Sequence, residues 1–211
     1  MSAPCPLCGS SGPEPYHADR WRAYLACRQC GLVFVPPVYH LNADAERAEY
    51  DRHENAVADP GYRRFLERLA GPLRERVPPP ATGLDFGCGP GPALAAMLRQ
   101  AGYTMAVYDP FYAPDEAVLA PGYDLITATE VVEHLARPGA ELRRLVGLLR
   151  PGGWLGIMTK LVIDRERFAG WHYIRDPTHI GFFSAATFRW WADRDGLALE
   201  FAGDDVILLR R

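Results

Sequence analysis

In Leu84-Asp85-Phe86-Gly87-Cys88-Gly89-Pro90-Gly91-Pro92, three alternating glycines separate a short apolar run from a segment with helical spacing. The apolar run, residues 83–86, predicts a buried strand, and residues 93–101 predict a helix whose apolar side chains share one face. A strand, a tight glycine turn and a helix make a nucleotide-binding turn, because glycine lets the backbone approach a ligand and the helix N-terminus offers free N–H groups. An ordinary strand-to-helix loop is the alternative interpretation.

Length and composition limit the class of protein. A chain of 211 residues allows one sizeable α/β domain with a small appendage. With 48% hydrophobic residues and a formal net charge of −3, nothing indicates disorder or a surface for polyanions, so a nucleic-acid partner is not expected. No apolar run approaches the roughly 20 residues that span a bilayer, and the N-terminus lacks the regions of a signal peptide. We expect a cytoplasmic protein without a membrane partner.

Four of the five cysteines have the spacing of a metal site. Cys5 and Cys8 form one C-x2-C pair, and Cys27 and Cys30 form a second pair eighteen residues later. This spacing predicts a four-thiolate structural zinc site, and a glycine follows each pair as the turns of a zinc knuckle require. We expect residues 1–38 to be a zinc ribbon whose folding energy comes from the metal. Two disulfides or free core thiols are the alternative.

Residues 39–80 are predicted to form a helical cap or linker. Two stretches with helical character, one charged and one amphipathic, precede the glycine turn. Between them, Tyr50, His53 and Asn55 are polar groups on a predicted loop beside the nucleotide site. They are candidate substrate contacts, although most such residues are solvated surface.

An acidic residue follows the next predicted strand. Residues 103–108 end at Asp109, twenty-two residues after Gly87, where a carboxylate can accept hydrogen bonds from ribose hydroxyls. A dehydrogenase fingerprint requires glycine or alanine at the sixth position of G-x-G-x-x-G, and this chain has Pro92 there. That proline disfavours a nicotinamide-dependent oxidoreductase.

Further motifs carry a family resemblance. Asp85–Gly91, Asp109, Tyr123-Asp124-Leu125-Ile126 and Leu149-Arg150-Pro151-Gly152-Gly153 match, in order, the motifs of class I S-adenosylmethionine-dependent methyltransferases. The resemblance covers about residues 60–211. With its cysteine pairs, its Tyr-x-x-His-x-Asn stretch and a later Asp-Pro-Thr-His, the chain resembles a bacterial subgroup with an N-terminal zinc ribbon.

The resemblance implies an α/β fold with a Rossmann-like seven-stranded, mostly parallel sheet over residues 81–211. Its third strand is expected at residues 116–120. In this family the glycine turn contacts the methionine part and the ribose of S-adenosylmethionine, which is the implied cofactor. The implied cofactor-binding residues are Asp85, Phe86, Gly87, Cys88, Gly89, Gly91, Asp109, Pro110, Thr129 and Glu130.

A second cluster follows the strand that ends near Thr129. Glu130, Glu133 and His134 are spaced i, i+3, i+4, which on a helical turn brings them to one face near the edge where this fold binds ligands. Carboxylates and imidazole are ligands for a divalent cation. A similar Glu-x-x-Glu-His pattern supplies metal ligands in small-RNA 2′-O-methyltransferases. Some ubiquinone-pathway O-methyltransferases have a sequence that resembles it. His179 is the expected fourth ligand; substrate positioning without metal is the alternative.

Residues 168–183 interleave aromatic side chains with histidine, arginine and aspartate. This composition suits a pocket wall, although aromatic residues are also ordinary core residues. Within and near it, Trp171, Tyr173 and Arg175 are candidate substrate contacts. Imidazole can accept a proton near neutral pH. The candidate catalytic residues are His179, His172, His134 and Glu130, with His172 also the second choice for the late metal ligand.

The patterns together predict methyl transfer from S-adenosylmethionine to a small-molecule acceptor. O-methylation is favoured, with a second divalent metal as a candidate helper. A non-catalytic zinc-ribbon interaction module on a methyltransferase scaffold is the competing hypothesis. A nicotinamide-dependent oxidoreductase is the third.

Overall fold

The computed structural model describes residues 3–52 and 57–211. Short 3-10 helices connect several of the longer elements. The strands and α-helices follow one another along the chain as β1 (Glu14–Ala18), β2 (Ala23–Ala26), β3 (Val33–Phe34), α1 (Ala43–Tyr50), α2 (Pro60–Arg76), β4 (Thr82–Phe86), α3 (Ala93–Gln100), β5 (Thr104–Tyr108), β6 (Tyr123–Thr129), α4 (Pro138–Leu148), β7 (Leu149–Met158), α5 (Arg165–Gly170), β8 (Gly181–Phe182), α6 (Ala185–Asp195), β9 (Ala198–Phe201) and β10 (Val206–Arg210).

The central sheet has six strands within the described residues, in the order β5-β4-β6-β7-β10-β9. The pairs β4–β5, β4–β6 and β6–β7 are parallel, whereas β10 is antiparallel to both β7 and β9. The predicted mostly parallel α/β sheet is confirmed. The expected seventh strand is wrong, because Glu116–Val118 is a 3-10 helix. Asp115 caps it by accepting a hydrogen bond from the amide of Ala117, which favours a helical turn there.

Helices cover both faces of this sheet. Successive residues of a strand point to opposite faces, so Leu125 and Ile126 of β6 belong to different cores. Helices α2 and α3 pack on the Leu125 face, and α4 and α6 on the Ile126 face. Gly156 of β7 lets α2 approach closely, because a Cβ there would lie 2.8 Å from a methyl carbon of Leu73. Helix α2, which lies inside the predicted cap, is therefore a layer of the α/β fold.

A second, antiparallel sheet joins the cysteine-bearing segment to the rest of the chain. Its order is β1-β2-β3-β8, so its last strand comes from between β7 and β9 of the central sheet in sequence. The segment also packs on the first turn of α4, where a Cβ on Gly139 would overlap the carbonyl of Leu7. Its apolar side chains continue into the core beneath α4 and α6. The proposed boundaries at residues 38 and 80 remain predictions.

A helix needs about 20 mostly apolar residues to cross a bilayer. Within residues 3–52 and 57–211, none combines the length and the apolar character needed to cross a membrane.

Candidate active site

The glycine turn after β4 adopts the backbone conformation that its sequence predicts. Gly87 and Gly89 have φ angles of 73° and 61°. The amides of Gly87 and Cys88 both donate to the carbonyl of Tyr108 at the end of β5, at 2.8 and 3.2 Å. A Cβ on Gly87 would overlap the isopropyl group of Val131, whereas a Cβ on Gly89 would meet no described heavy atom within 4 Å. The turn is packed against Val131 at Gly87 and is open at Gly89.

Asp109 lies directly beside this turn. One carboxylate oxygen accepts from the amide of Gly89 at 3.0 Å, and the other accepts from the amides of Phe111 and Tyr112 at 2.8 and 3.2 Å. A carboxylate has about four acceptor positions, so these three N–H groups fix its orientation and leave capacity for a hydroxyl. The expected position for a ribose-binding carboxylate is therefore present.

A cavity of about 890 Å³ opens over the residues that follow β4, β5 and β6. Its size lies within the range of small-molecule sites, and its position is where open α/β sheets bind ligands. Aromatic rings line much of it. Most predicted cofactor-binding residues line it, namely Phe86, Gly87, Cys88, Gly89, Asp109, Pro110, Thr129 and Glu130.

Asp85 and Gly91 do not line the cavity, which corrects their predicted direct contact with the cofactor. Asp85 is 4% exposed, because its side chain points under the turn and accepts a hydrogen bond from the hydroxyl of Thr127 at 2.6 Å. Burial raises the pKa of Asp85 to about 6. The carboxylate supports the base of the turn.

We expect Asp85→Asn to change the pH dependence of stability. Because the folded-state pKa lies above the unfolded value of 3.8, the folded chain binds the extra proton between about pH 4 and pH 6. The wild-type free energy of unfolding therefore falls as pH rises through that window. Asparagine has no proton to lose and keeps an oxygen for Thr127. We expect the free energy of unfolding in urea, variant minus wild type, to be roughly 2–3 kcal/mol larger at pH 8 than at pH 4.

Exposed Asp193 on α6 provides the matched control for this experiment. Asp193→Asn should alter stability equally at both pH values. An equal shift for Asp85→Asn at pH 4 and pH 8 would contradict the assignment.

Two buried polar atoms lack a hydrogen-bond partner within the described residues, Thr129 Oγ1 and Glu130 Oε1. Both residues line the cavity. Glu130 is also the non-glycine residue with a positive φ in the described chain, at 52°. Strained backbone and unsatisfied buried atoms concentrate where a ligand completes the site.

The predicted helical turn that would align Glu130 with Glu133 and His134 is wrong. Only Val132–His134 forms a 3-10 helix, and Glu130 precedes it in the left-handed region. Glu133 is fully buried and accepts hydrogen bonds from the hydroxyls of Thr159, at 3.1 Å, and Tyr173. Burial raises the pKa of Glu133 to about 7, and burial with the neighbouring Glu133 charge raises that of Glu130 to about 8.

A three-residue ligand group forms without Glu130. One ligand atom each from Glu133, His134 and His179 lies within 4.8 Å of the others. Nδ1 of His179 meets the carbonyl of Tyr173 at 2.7 Å, and Nδ1 of His134 meets that of Thr178 at 3.2 Å. A carbonyl only accepts, so both Nδ1 atoms carry hydrogen, and Nε2 of His179 lies 3.7 Å from a carboxylate oxygen of Asp176. Metal-bound imidazoles are commonly oriented in this way.

The other sequence candidates divide between the cavity and its surroundings. Tyr50, Tyr173 and His172 line the cavity, and Nε2 of His172 accepts from Lys160 at 2.8 Å. The candidate substrate residues Trp171 and Arg175 do not line it: Trp171 packs against Tyr173 and Phe182, and Arg175 is exposed at the end of a 3-10 helix. The remaining candidates, His53 and Asn55, lie outside the described residues.

Three basic residues that line the cavity were missed by the sequence reasoning: Lys160, which lies two residues after the end of β7, Arg137 and Arg144. Lys160 could have been found from its place after the carboxyl end of a parallel strand, where ligands bind. No motif marks the two arginines.

The four N-terminal cysteines converge as their spacing predicts. Their sulfur atoms lie within 4.8 Å of one another, with Cys5 and Cys30 at 3.5 Å and Cys8 and Cys27 at 3.4 Å. These separations exceed a disulfide bond of about 2.05 Å and approach the edge of a tetrahedron of zinc–sulfur bonds of about 2.3 Å. All five cysteines of the chain lie in the described residues and are free thiols. The disulfide alternative is not supported.

The sheet, the open glycine turn and the carboxylate after the next strand define the class I methyltransferase fold. Residues 50–200 match the family described as "Methyltransferase domain", and the chain belongs to that family. Among curated proteins, it is 28% identical over 99 residues to the ubiquinone biosynthesis O-methyltransferase of Aeromonas salmonicida (strain A449). That alignment covers 36% of this chain and 42% of the relative, so the match spans less than half of either protein.

Solved structures share the fold. The 1,6-didemethyltoxoflavin-N1-methyltransferase of Burkholderia thailandensis, with 1,6-didemethyltoxoflavin and S-adenosylhomocysteine bound, aligns with a TM-score of 0.53 and 18% identity over 94% of this chain and 99% of that one. The magnesium protoporphyrin IX methyltransferase of Synechocystis PCC 6803, with bound S-adenosylmethionine, aligns with a TM-score of 0.50 and 17% identity over 80% and 90% of the two chains. At these identities the likeness concerns the fold.

Proposed function

We propose that the chain transfers a methyl group from S-adenosylmethionine to a hydroxyl of a small-molecule acceptor bound in the cavity. The observation that carries this proposal is the open glycine turn beside Asp109, next to the unpartnered atoms of Thr129 and Glu130. The family assignment and the cofactors named in the two solved structures support it. They do not favour a non-catalytic module or a nicotinamide-dependent oxidoreductase.

The residues present fit this cofactor. Asp109 has acceptor capacity for ribose hydroxyls, and the open side of Gly89 admits a ligand against the backbone. When bound, S-adenosylmethionine supplies an already activated methyl group. The protein must then align the acceptor, exclude water and remove a proton. The aromatic wall that includes Phe86 and Phe111 limits water on this side of the cavity.

His179 is the best-placed group for the proton. Burial, with His134 nearby, lowers its pKa to about 4, so the imidazole stays neutral at pH 7. Its Nδ1–H is held by the carbonyl of Tyr173, and its Nε2, 3.7 Å from a carboxylate oxygen of Asp176, is the atom that would accept a proton or bind a cation. His172, paired with Lys160, is the second candidate. Tyr50 and Tyr173 are the proposed acceptor contacts.

The preference for oxygen rests on Glu133, His134 and His179. These three groups would hold a divalent cation, which lowers the pKa of a bound hydroxyl and orients it. Glu130 does not belong to the ligand set, because its backbone turns away before the 3-10 helix. Without the cation, Nε2 of His179 would accept the hydroxyl proton itself.

A structural role is proposed for the first metal site. Cys5, Cys8, Cys27 and Cys30 would bind one zinc ion as thiolates, with no position left for substrate. The zinc would hold the turns that carry β2 and β3 against the main domain.

The test is release of S-adenosylhomocysteine from S-adenosylmethionine with phenolic hydroxyl acceptors and with N–H heterocycles. The protein is treated with a chelator that leaves its zinc content unchanged, and Mn²⁺ is then returned. We expect hydroxyl acceptors to be used and Mn²⁺ to raise the rate at least tenfold. Glu133→Gln should lose this response, while Glu116→Gln, on an exposed carboxylate, should keep it.

Two results would contradict parts of this proposal. Turnover of N–H heterocycles alone would exclude the preference for oxygen. A rate that neither the chelator nor Mn²⁺ changes would exclude the cation and leave His179 as the base.

A further inference from the structure

Arg22, in the turn between β1 and β2, is a buried cation that reaches into the main domain. It is 8% exposed. Its Nη2 donates to the carbonyl oxygens of Ile174 and Asp176 at 2.7 and 2.8 Å, and its Nη1 donates to that of Pro177 at 3.2 Å. A buried guanidinium is costly unless its N–H groups are hydrogen-bonded. These three carbonyls therefore form a specific acceptor set for one side chain.

The hairpin of β1 and β2 also binds the guanidinium, at its Nε atom. Nε of Arg22 donates to the hydroxyl of Tyr24 at 2.9 Å, and this hydroxyl donates to Asp19 at 2.8 Å. The second carboxylate oxygen of Asp19 accepts from the backbone amide of Arg22 at 2.8 Å. Tyr24 is fully buried. The position of the guanidinium is thus fixed by the N-terminal segment, and the carboxylate of Asp19 is a countercharge two hydrogen bonds away, through the hydroxyl of Tyr24.

The carbonyls that Arg22 binds lie in the same backbone stretch that orients the two imidazoles of the candidate site. The carbonyl of Tyr173 accepts from His179, and the carbonyl of Thr178 accepts from His134. Between these two carbonyls stand the three that Arg22 holds. Displacement of this stretch would move both imidazole acceptors together.

We infer that Arg22 is a positioning residue of the active site, which acts through residues 174–177 on the imidazoles of His134 and His179. It keeps both rings in the Nδ1–H tautomer that the carbonyls of Tyr173 and Thr178 favour. The zinc ribbon is then a structural part of the active site. The catalytic role of these rings rests on the proposed function, whereas the effect of Arg22 on their tautomers does not depend on it.

The inference is tested with full-length, zinc-loaded protein labelled with ¹⁵N at histidine. Long-range ¹H–¹⁵N spectra at pH 7.5 report the tautomer of each ring, and the signals are assigned with His134→Asn and His179→Asn. The variants are Arg22→Ala, Arg22→Gln, which keeps part of the donor set and guards against misfolding, and Arg22→Lys. Arg20→Ala is the control, since Arg20 is an exposed residue of the same turn that stacks on Trp21.

Loss of the fixed Nδ1–H tautomer in Arg22→Ala and Arg22→Gln, with S-adenosylhomocysteine affinity within threefold of wild type, would support the inference. We expect lysine not to restore the tautomer, because its ammonium cannot reproduce a planar fork of donors. Unchanged tautomers in folded variants with lower melting temperatures would show a purely structural role and overturn it. A wild-type protein that binds no S-adenosylhomocysteine would refute the proposed function separately.

Discussion

Replacing Gly87 with alanine is expected to lower the affinity for S-adenosylhomocysteine by about 100-fold or more, roughly 3 kcal/mol. The φ angle of 73° costs a residue with a Cβ about 1–2 kcal/mol. The added methyl group would lie 3.0 Å from Cγ1 of Val131 and closer still to Cγ2. Relief of that overlap must move Val131, which lines the cavity next to the strained Glu130. Calorimetric titration measures the effect.

Gly147 of α4 provides the matched control for the Gly87 variant. A Cβ at this position would meet no described heavy atom within 4 Å, and alanine is favoured in a helix. Gly147→Ala should bind S-adenosylhomocysteine as the wild type does. Wild-type affinity in a folded Gly87→Ala protein would show that the turn does not hold the cofactor.

Replacing Cys27 and Cys30 with serine is expected to remove the bound zinc and to lower the melting temperature by about 10 °C or more. Structural zinc supplies folding free energy directly, and each kcal/mol lost from a chain of this size shifts the melting temperature by about 2–4 °C. Both cysteines belong to the core that continues beneath α4 and α6, so the loss reaches the main domain. Elemental analysis and calorimetric melting measure the two effects.

Cys88→Ser is the control for the zinc experiment, because Cys88 lies in the glycine turn and outside the four-cysteine group. It should retain about one zinc per chain. A double variant that still carries one zinc, or a wild type that carries none after expression with zinc, would contradict the assignment of the site.

The parts of the site that depend on neighbouring residues were predictable from the sequence. The turn at Gly87 and Gly89 needs left-handed backbone conformations, and glycine is the residue type that predicts them. The two cysteine pairs are local in the same sense. Asp109 was predictable because the ends of adjacent parallel strands meet at one edge of the sheet.

Other features depend on contacts that spacing does not encode. Glu130 and Glu133 have helical spacing, but the chain enters a 3-10 helix after a left-handed residue, so the two carboxylates occupy different places. Residues 116–120 were predicted to form a strand, yet residues 116–118 form a 3-10 helix that Asp115 caps. The bonds from Arg22 span about 150 residues, and no periodicity predicts them.

The contact between the cysteine-bearing segment and the main domain also could not be predicted from sequence spacing. The pairing of Val33 with Phe182 joins the cysteine-bearing segment to a strand far along the chain. The sequence indicated a ribbon whose folding energy comes from the metal. The structure shows a segment that also shares a hydrophobic core with the main domain.

Calorimetric titration with S-adenosylmethionine, compared for wild type and Asp109→Ala, tests the central claim most directly. The proposal predicts one molecule bound per chain, competition by S-adenosylhomocysteine, no heat with NADH, and at least tenfold weaker binding in the folded Asp109→Ala variant. No binding of S-adenosylmethionine, tighter binding of NADH, or equal affinity in Asp109→Ala would contradict it.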